Sequence, residues 1–114
     1  MGRKNDKAAK KGIVSIVRRY LAQLPSLGVH ASGAVLFGSF ARGDANKWSD
    51  IDLIVIAPEF DGKCSLRTVE SLWHATLKAD VRIEPIPCGV IEWETDDSRP
   101  ILEIARREGI VIAA

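Results

Sequence analysis

The stretch Val35-Leu-Phe-Gly-Ser-Phe-Ala-Arg-Gly-Asp-Ala-Asn-Lys-Trp-Ser-Asp-Ile-Asp-Leu-Ile-Val-Ile-Ala57 decides the fold. It opens as a short apolar strand, breaks at Gly38-Ser39, crosses a polar connection and resumes as a second apolar strand that begins with Asp50 and Asp52. Side chains alternate across a strand, so the two carboxylates project from one side while Ile51, Leu53 and Val55 project from the other. Like charges this close raise each other's pKa and cost stability unless a cation or an array of donors lies between them. A hard divalent cation with oxygen ligands resolves the repulsion, and Mg²⁺ is the first expectation. Gly38 lacks a Cβ, so the backbone can turn sharply and approach a ligand; the amides and hydroxyl of a Gly-Ser turn suit phosphate oxygens. A phosphate beside a metal is a nucleotide site.

Phe37-Gly38-Ser39, ten intervening residues and then Asp50-Ile51-Asp52 resemble the signature of the DNA polymerase beta-like nucleotidyltransferase superfamily. Gly-Ser-Phe-Ala-Arg-Gly-Asp followed by Ser-Asp-Ile-Asp-Leu is similar to its small stand-alone branch, the minimal nucleotidyltransferases. Gly-Ser alone, or Asp-x-Asp alone, would carry no such weight. The resemblance implies transfer of a nucleoside monophosphate, AMP from ATP, to an acceptor hydroxyl with release of pyrophosphate. It implies that Asp50 and Asp52 hold two Mg²⁺ ions and that Gly38, Ser39, Arg42 and Ser49 bind the nucleotide. It also implies a third carboxylate that serves as metal ligand and general base. The segment Ala79 to Ile86 alternates as a strand, with Asp80, Arg82, Glu84 and Ile86 on one face. The family pattern favours Asp80, near the strand start, with Glu84 as the alternative. Members of this branch resemble antitoxins encoded beside all-helical HEPN proteins, so a separate helical partner is expected. The alternative is a catalytically weak or inactive binding module that masks such a partner.

At 114 residues the chain has room for one sheet with its helices and no second lobe. The fold expected is α/β: a single nucleotidyltransferase domain over residues 13–114, with a mixed sheet of about four strands, helices packed mainly on one face and an open catalytic face. Antibiotic nucleotidylation fits poorly, since it needs an acceptor domain of its own. Residues 1–12 carry Arg3, Lys4, Lys7, Lys10 and Lys11 against Asp6, a net +4 that leaves −3 elsewhere in a chain of net +1. Such an arm is read as a solvated, frayed terminus before it is read as a contact to nucleic acid. No apolar run is long enough to span a bilayer and the amino terminus has no signal-peptide core, so a cytoplasmic protein without membrane contact is expected. A homodimer stays open. Cys64 and Cys88 are too few and too isolated for a disulfide framework or zinc site.

Apolar spacing predicts a first helix over Lys7 to Leu24, weakened at Gly12 and closed by Pro25. A strand over Ala34 to Phe37, a turn or two of helix over Ser39 to Asp44, a loop tied down by Ser49 and a strand over Asp50 to Ala57 follow. Arg42 can reach a phosphate or pair with Asp44. A helix over Ser65 to Lys78 is expected to bury Leu66, Val69, Leu72, Trp73 and Leu77. Pro85 and Pro87 mark a sheet edge, and Gly89 to Asp97 reads as an acidic loop anchored by Trp93. Ser98 is expected to cap a last helix that ends at Gly109, ahead of a strand over Ile110 to Ala113. Trp48 and Trp93 are the aromatics expected to stay exposed beside the site.

Overall fold

The computed structural model describes residues 3–114, with side chains from residue 11 onward. Four strands, β1 (Gly33–Phe37), β2 (Ile51–Ile56), β3 (Ile83–Cys88) and β4 (Ile110–Ala113), form one mixed sheet in the order β3-β2-β1-β4. β1 pairs antiparallel with β2 and β4, whereas β2 and β3 run parallel. A parallel neighbour needs a crossover, supplied by α3 (Leu66–Thr76). The remaining helices are α1 (Arg3–Gln23), α2 (Ser39–Arg42), α4 (Val90–Thr95) and α5 (Pro100–Glu108). Among the described residues no helix is long and apolar enough to cross a membrane.

The α/β fold with a four-stranded mixed sheet is the one expected, and the strand alternation sorts its core into two. On one face, Leu36, Ile51, Leu53, Val55 and Ile83 meet Val17 and Tyr20 of α1, Leu24 just beyond it, and Leu72 and Ala75 of α3. On the other, Val35, Phe37, Ile54, Ile56 and Cys88 meet Leu102 and Ala105 of α5. The second face, expected to be open, therefore carries a helix over its middle. Gly109 stops α5 for a packing reason: its φ is an ordinary −79°, but an added Cβ would collide with the Ala105 carbonyl and Val35 Cγ1.

Several local expectations are corrected. β3 begins at Ile83, not Ala79, because Asp80 turns the chain first: its carboxylate accepts the Arg82 amide at 2.9 Å and its carbonyl accepts the Ile83 amide at 3.2 Å. The stretch after β3 holds a helix, α4, whose first amides at Ile91 and Glu92 are capped from afar by the Asp61 carboxylate. The local signal is Glu92, whose side chain accepts the Gly89 amide at 3.1 Å. Trp93 is half-buried under the Arg106 guanidinium, 4.9 Å from its ring centre, so it anchors this segment but is not a free aromatic. Trp73 is half exposed, not core, and Leu66 and Leu77 share its outward face. The residue before α5 is Arg99, with no side-chain cap, while the Ser98 amide bonds Asp96. Helix α1 runs through Gly12 from Arg3, and residues 1 and 2 of the expected arm lie outside the described residues.

Helices α1 and α3 are locked together by one polar contact in the core, the Tyr20 hydroxyl donating to the Leu72 carbonyl at 2.7 Å. Burial raises the Tyr20 pKa well above the ordinary phenol value, so it stays a donor at any working pH. Tyr20→Phe should cost about 1 kcal/mol in urea denaturation, and an unchanged midpoint would mean that the hydrogen bond adds nothing to the packing.

Candidate active site

The sheet register builds the site. Asp52 lies opposite Phe37 on β1 and opposite Glu84 on β3, so the end of β2 presents its carboxylate between the two neighbours. Asp50 comes two residues earlier, just ahead of the strand and exposed. Asp52 and Glu84 both project toward the side of the sheet that α5 covers, since Ile54 and Ile86, two residues further along each strand, join that core. Burial raises the pKa of Asp52, and the Asp50 charge raises it further against a smaller opposing pull from Arg42. Glu84 is raised in the same way, by burial and then by the charges of Asp50 and Asp52.

Gly38 is fixed by this carboxylate. With φ +76° and ψ −153° it occupies a region that only glycine enters readily, and an added Cβ would fall onto Asp52 Oδ2. The backbone therefore passes directly against the acid, and Ser39 opens α2 beside it. At the end of α2, Arg42 pairs with both Asp44 and Glu108 at 3.3 Å, which satisfies the Asp44 expectation and adds a tie to α5. The connection to β2 is held by the Asn46 amide on Ser49 Oγ at 3.0 Å and the Trp48 amide on Asn46 Oδ1 at 2.8 Å. Ser49 thus ties down its loop as expected.

Gly38, Ser39, Arg42, Ser49, Asp50 and Asp52 all line one open cleft of about 450 Å³. Asp80 is the sequence-predicted site residue that does not join them. Its carboxylate is gripped by Arg82 at 2.8 and 3.1 Å, and these hydrogen bonds, helped by the charges of Arg82 and Arg19, hold its pKa below the ordinary range. The Arg82 guanidinium lies 5.7 Å from the Phe40 ring, so Asp80 braces α2 from behind the Gly-Ser turn. Glu84, the alternative, is the carboxylate brought to the pair.

Sequence reasoning missed the second wall of the cleft, made by Ile101, Ile104 and Glu108 of α5. The signal was present: Ile101, Leu102, Ile104 and Ala105 span an arc wider than one packing face, and only Leu102 and Ala105 are fully buried. Among the described residues, no three His, Cys, Asp or Glu side chains already stand as a metal cage. The donors still suit a hard cation such as Mg²⁺: Asp50, Asp52 and Glu84 offer only carboxylate oxygens, and their charges work against one another.

The comparisons agree with this construction. The family described as "Nucleotidyltransferase domain" matches residues 14–108, and the chain belongs to it. The Methanocaldococcus jannaschii protein called "Putative protein adenylyltransferase MJ0141" is 29% identical over 76 residues, 65% of this chain and 77% of that one. A crystal structure described as "a putative nucleotidyltransferase from Sulfolobus solfataricus" superposes with a TM-score of 0.63 over 93% of this chain and 84% of its own. At 13% identity that likeness speaks for the fold. The chain is a nucleotidyltransferase.

Two outcomes check the geometry. Gly38→Ala should lose about 2 kcal/mol of stability or more from backbone strain and collision, and part of that loss should disappear in the Gly38→Ala/Asp52→Ala double variant; wild-type stability for the single variant would mean that the contact is not made. Asp52→Asn in EDTA should melt above wild type at pH 7. A carboxyl whose pKa is raised on folding is most favourable while protonated and loses that advantage as pH rises through its folded value. The gap should therefore close when the melts are repeated at pH 3.5, and a lower melting temperature at pH 7 would make Asp52 structural.

Proposed function

We propose that the chain transfers AMP from ATP to a hydroxyl group on a separate protein. The observation that carries this reading is the convergence of Asp50 and Asp52 with the Gly38-Ser39 turn in one cleft of a nucleotidyltransferase fold, with Glu84 opposite Asp52 on the neighbouring strand. The relative named for protein adenylylation supports the choice of nucleotide and acceptor class. In the reaction an acceptor oxygen attacks the α-phosphorus, the bond from that phosphorus to the bridging oxygen breaks, and pyrophosphate leaves with the electron pair. Chemistry of this kind is chiefly positioning and charge neutralisation.

Gly38 and Ser39 hold the outer phosphates with backbone amides and the Ser39 hydroxyl, and Ser49 keeps the loop that carries Asp50 in place. Arg42 faces the same cleft, restrained by Asp44 and Glu108, and can exchange one of these for a phosphate oxygen. Asp50 and Asp52, with Glu84, would hold Mg²⁺, two ions in the family pattern, which would neutralise the triphosphate and activate the acceptor oxygen. Glu84 takes the acceptor's proton, the part the family pattern gives to its third carboxylate, from its position opposite Asp52. Asp80 acts at one remove, through Arg82 and Phe40.

The acceptor in this reading is an all-helical protein of HEPN type. Leu66, Trp73 and Leu77 form an exposed apolar stripe along α3, 73%, 50% and 71% accessible, bordered on one edge by Arg67, His74 and Lys78. Glu70 is exposed between that edge and the stripe, so the charge there is mixed and it is the apolar stripe that suits an amphipathic helix of the partner. The same stripe favours a second reading, in which the chain only masks its partner, as an antitoxin can.

Incubating the chain and its co-produced neighbour with ATP and Mg²⁺, then weighing the neighbour by mass spectrometry, separates the two. Addition of one AMP is expected, with Asp52→Asn and Glu84→Gln each lowering its rate at least ~100-fold and Asp80→Ala lowering it only severalfold, the reverse of the order expected from the sequence. Co-elution without AMP, unchanged by Asp52→Asn, would leave masking as the function. Full activity in Glu84→Gln would remove Glu84 as the base.

A further inference from the structure

The cleft is lined by polar groups and by three large apolar side chains, Trp48, Ile101 and Ile104. Trp48 is 81% accessible, the most exposed large apolar side chain among the described residues. An indole left this open costs solubility and gains nothing in the core, yet its loop is ordered by three hydrogen bonds: Asn46 amide to Ser49 Oγ, Trp48 amide to Asn46 Oδ1, and Ser49 amide to Asn46 carbonyl. Lys47 Nζ lies 5.1 Å from the ring centre and can cover one face only, so the exposure belongs chiefly to the other. From α5, Ile101 and the 38% exposed Ile104 border the same cleft.

This combination suits a flat aromatic ring. With a triphosphate seated at Gly38 and Ser39, the base falls within reach of the other residues that line the same cleft, Trp48, Ile101 and Ile104 among them. An aromatic face on one side and branched aliphatic groups on the other take up a base by stacking and dispersion, without reading its hydrogen-bonding edge. We infer that Trp48 is the nucleobase platform of this site, with Ile101 and Ile104 as the facing wall, and that the site selects purine over pyrimidine nucleoside triphosphates by stacking area. The inference rests on the nucleotidyl-transfer reading and adds to it the residue that recognises the base.

The test is equilibrium dialysis of ATP, CTP and tripolyphosphate, each with Mg²⁺, against wild type and Trp48→Ala, together with tryptophan emission during the ATP titration. Trp48 is so exposed that its replacement should leave the circular dichroism spectrum and melting temperature unchanged. The expected result is ATP binding tighter than CTP, about tenfold weaker ATP binding in Trp48→Ala, unaltered tripolyphosphate binding, and quenching by ATP in wild type but not in the variant. Equal affinities of wild type for ATP, CTP and tripolyphosphate, untouched by Trp48→Ala, would overturn the platform while leaving the nucleotide site in place. If Trp48→Ala binds ATP normally but no longer co-elutes with the partner protein, Trp48 is an acceptor contact and the inference is wrong. If wild type binds neither ATP nor tripolyphosphate, the transfer reading fails and the platform fails with it.

Discussion

Mutual repulsion among carboxylates at one end of the sheet is the constraint on which the remaining architecture turns. The register sets Asp52 beside Glu84, and Asp50 lies just ahead of the same strand. Burial and neighbouring charge raise the pKa of Asp52 and Glu84. A chain could relieve this by placing an arginine among them. Here the nearest candidate, Arg42, is restrained by Asp44 and Glu108, and Arg82 is engaged by Asp80. The strain is left for a cation or substrate to relieve, which distinguishes a site of action from a structural ion pair.

The close approach of backbone to acid follows from that arrangement. Gly38 must be glycine on two independent counts, its dihedral angles and the position of Asp52 Oδ2, so the strand end and the phosphate turn are built as one unit. The supporting shell has the same logic. Asp80, Arg82 and Phe40 form a chain of contacts from the turn before β3 to α2, so the base of the Gly-Ser turn is fixed by residues that never face the cleft.

Much of this was legible from the residues. Gly38, Ser39, Asp50 and Asp52 could be placed on adjacent strand ends because strand periodicity and a Gly-Ser break are local signals. The choice between Asp80 and Glu84 was not local in that sense. Both share a strand face on paper, and the decision lay in whether Asp80 would stay in the strand or turn the chain by bonding the Arg82 amide. Side-chain competition with the ladder is weakly encoded and is settled by what the neighbours supply. Helix α4 was hidden in part for a related reason: Asp61, which caps its first amides, lies about thirty residues earlier in the chain, and only Glu92, which accepts the Gly89 amide, marks the start locally. Trp73 was misplaced because apolar spacing on α3 fits two faces, and periodicity cannot say which one meets the sheet.

Helix α5 shows why the fold and the site cannot be assigned separately. Its Leu102 and Ala105 close the second face of the sheet, while Ile101, Ile104 and Glu108 on the adjoining arc wall the cleft, and Glu108 also holds Arg42. The helix is held close by Gly109, where a Cβ would meet Val35 of β1. A shift of α5 by even a fraction of its diameter would widen the cleft and slacken Arg42 together. Packing density in the second core therefore sets the width available to a ligand. In so small a domain, the helix that completes the core is also the one that shapes the site.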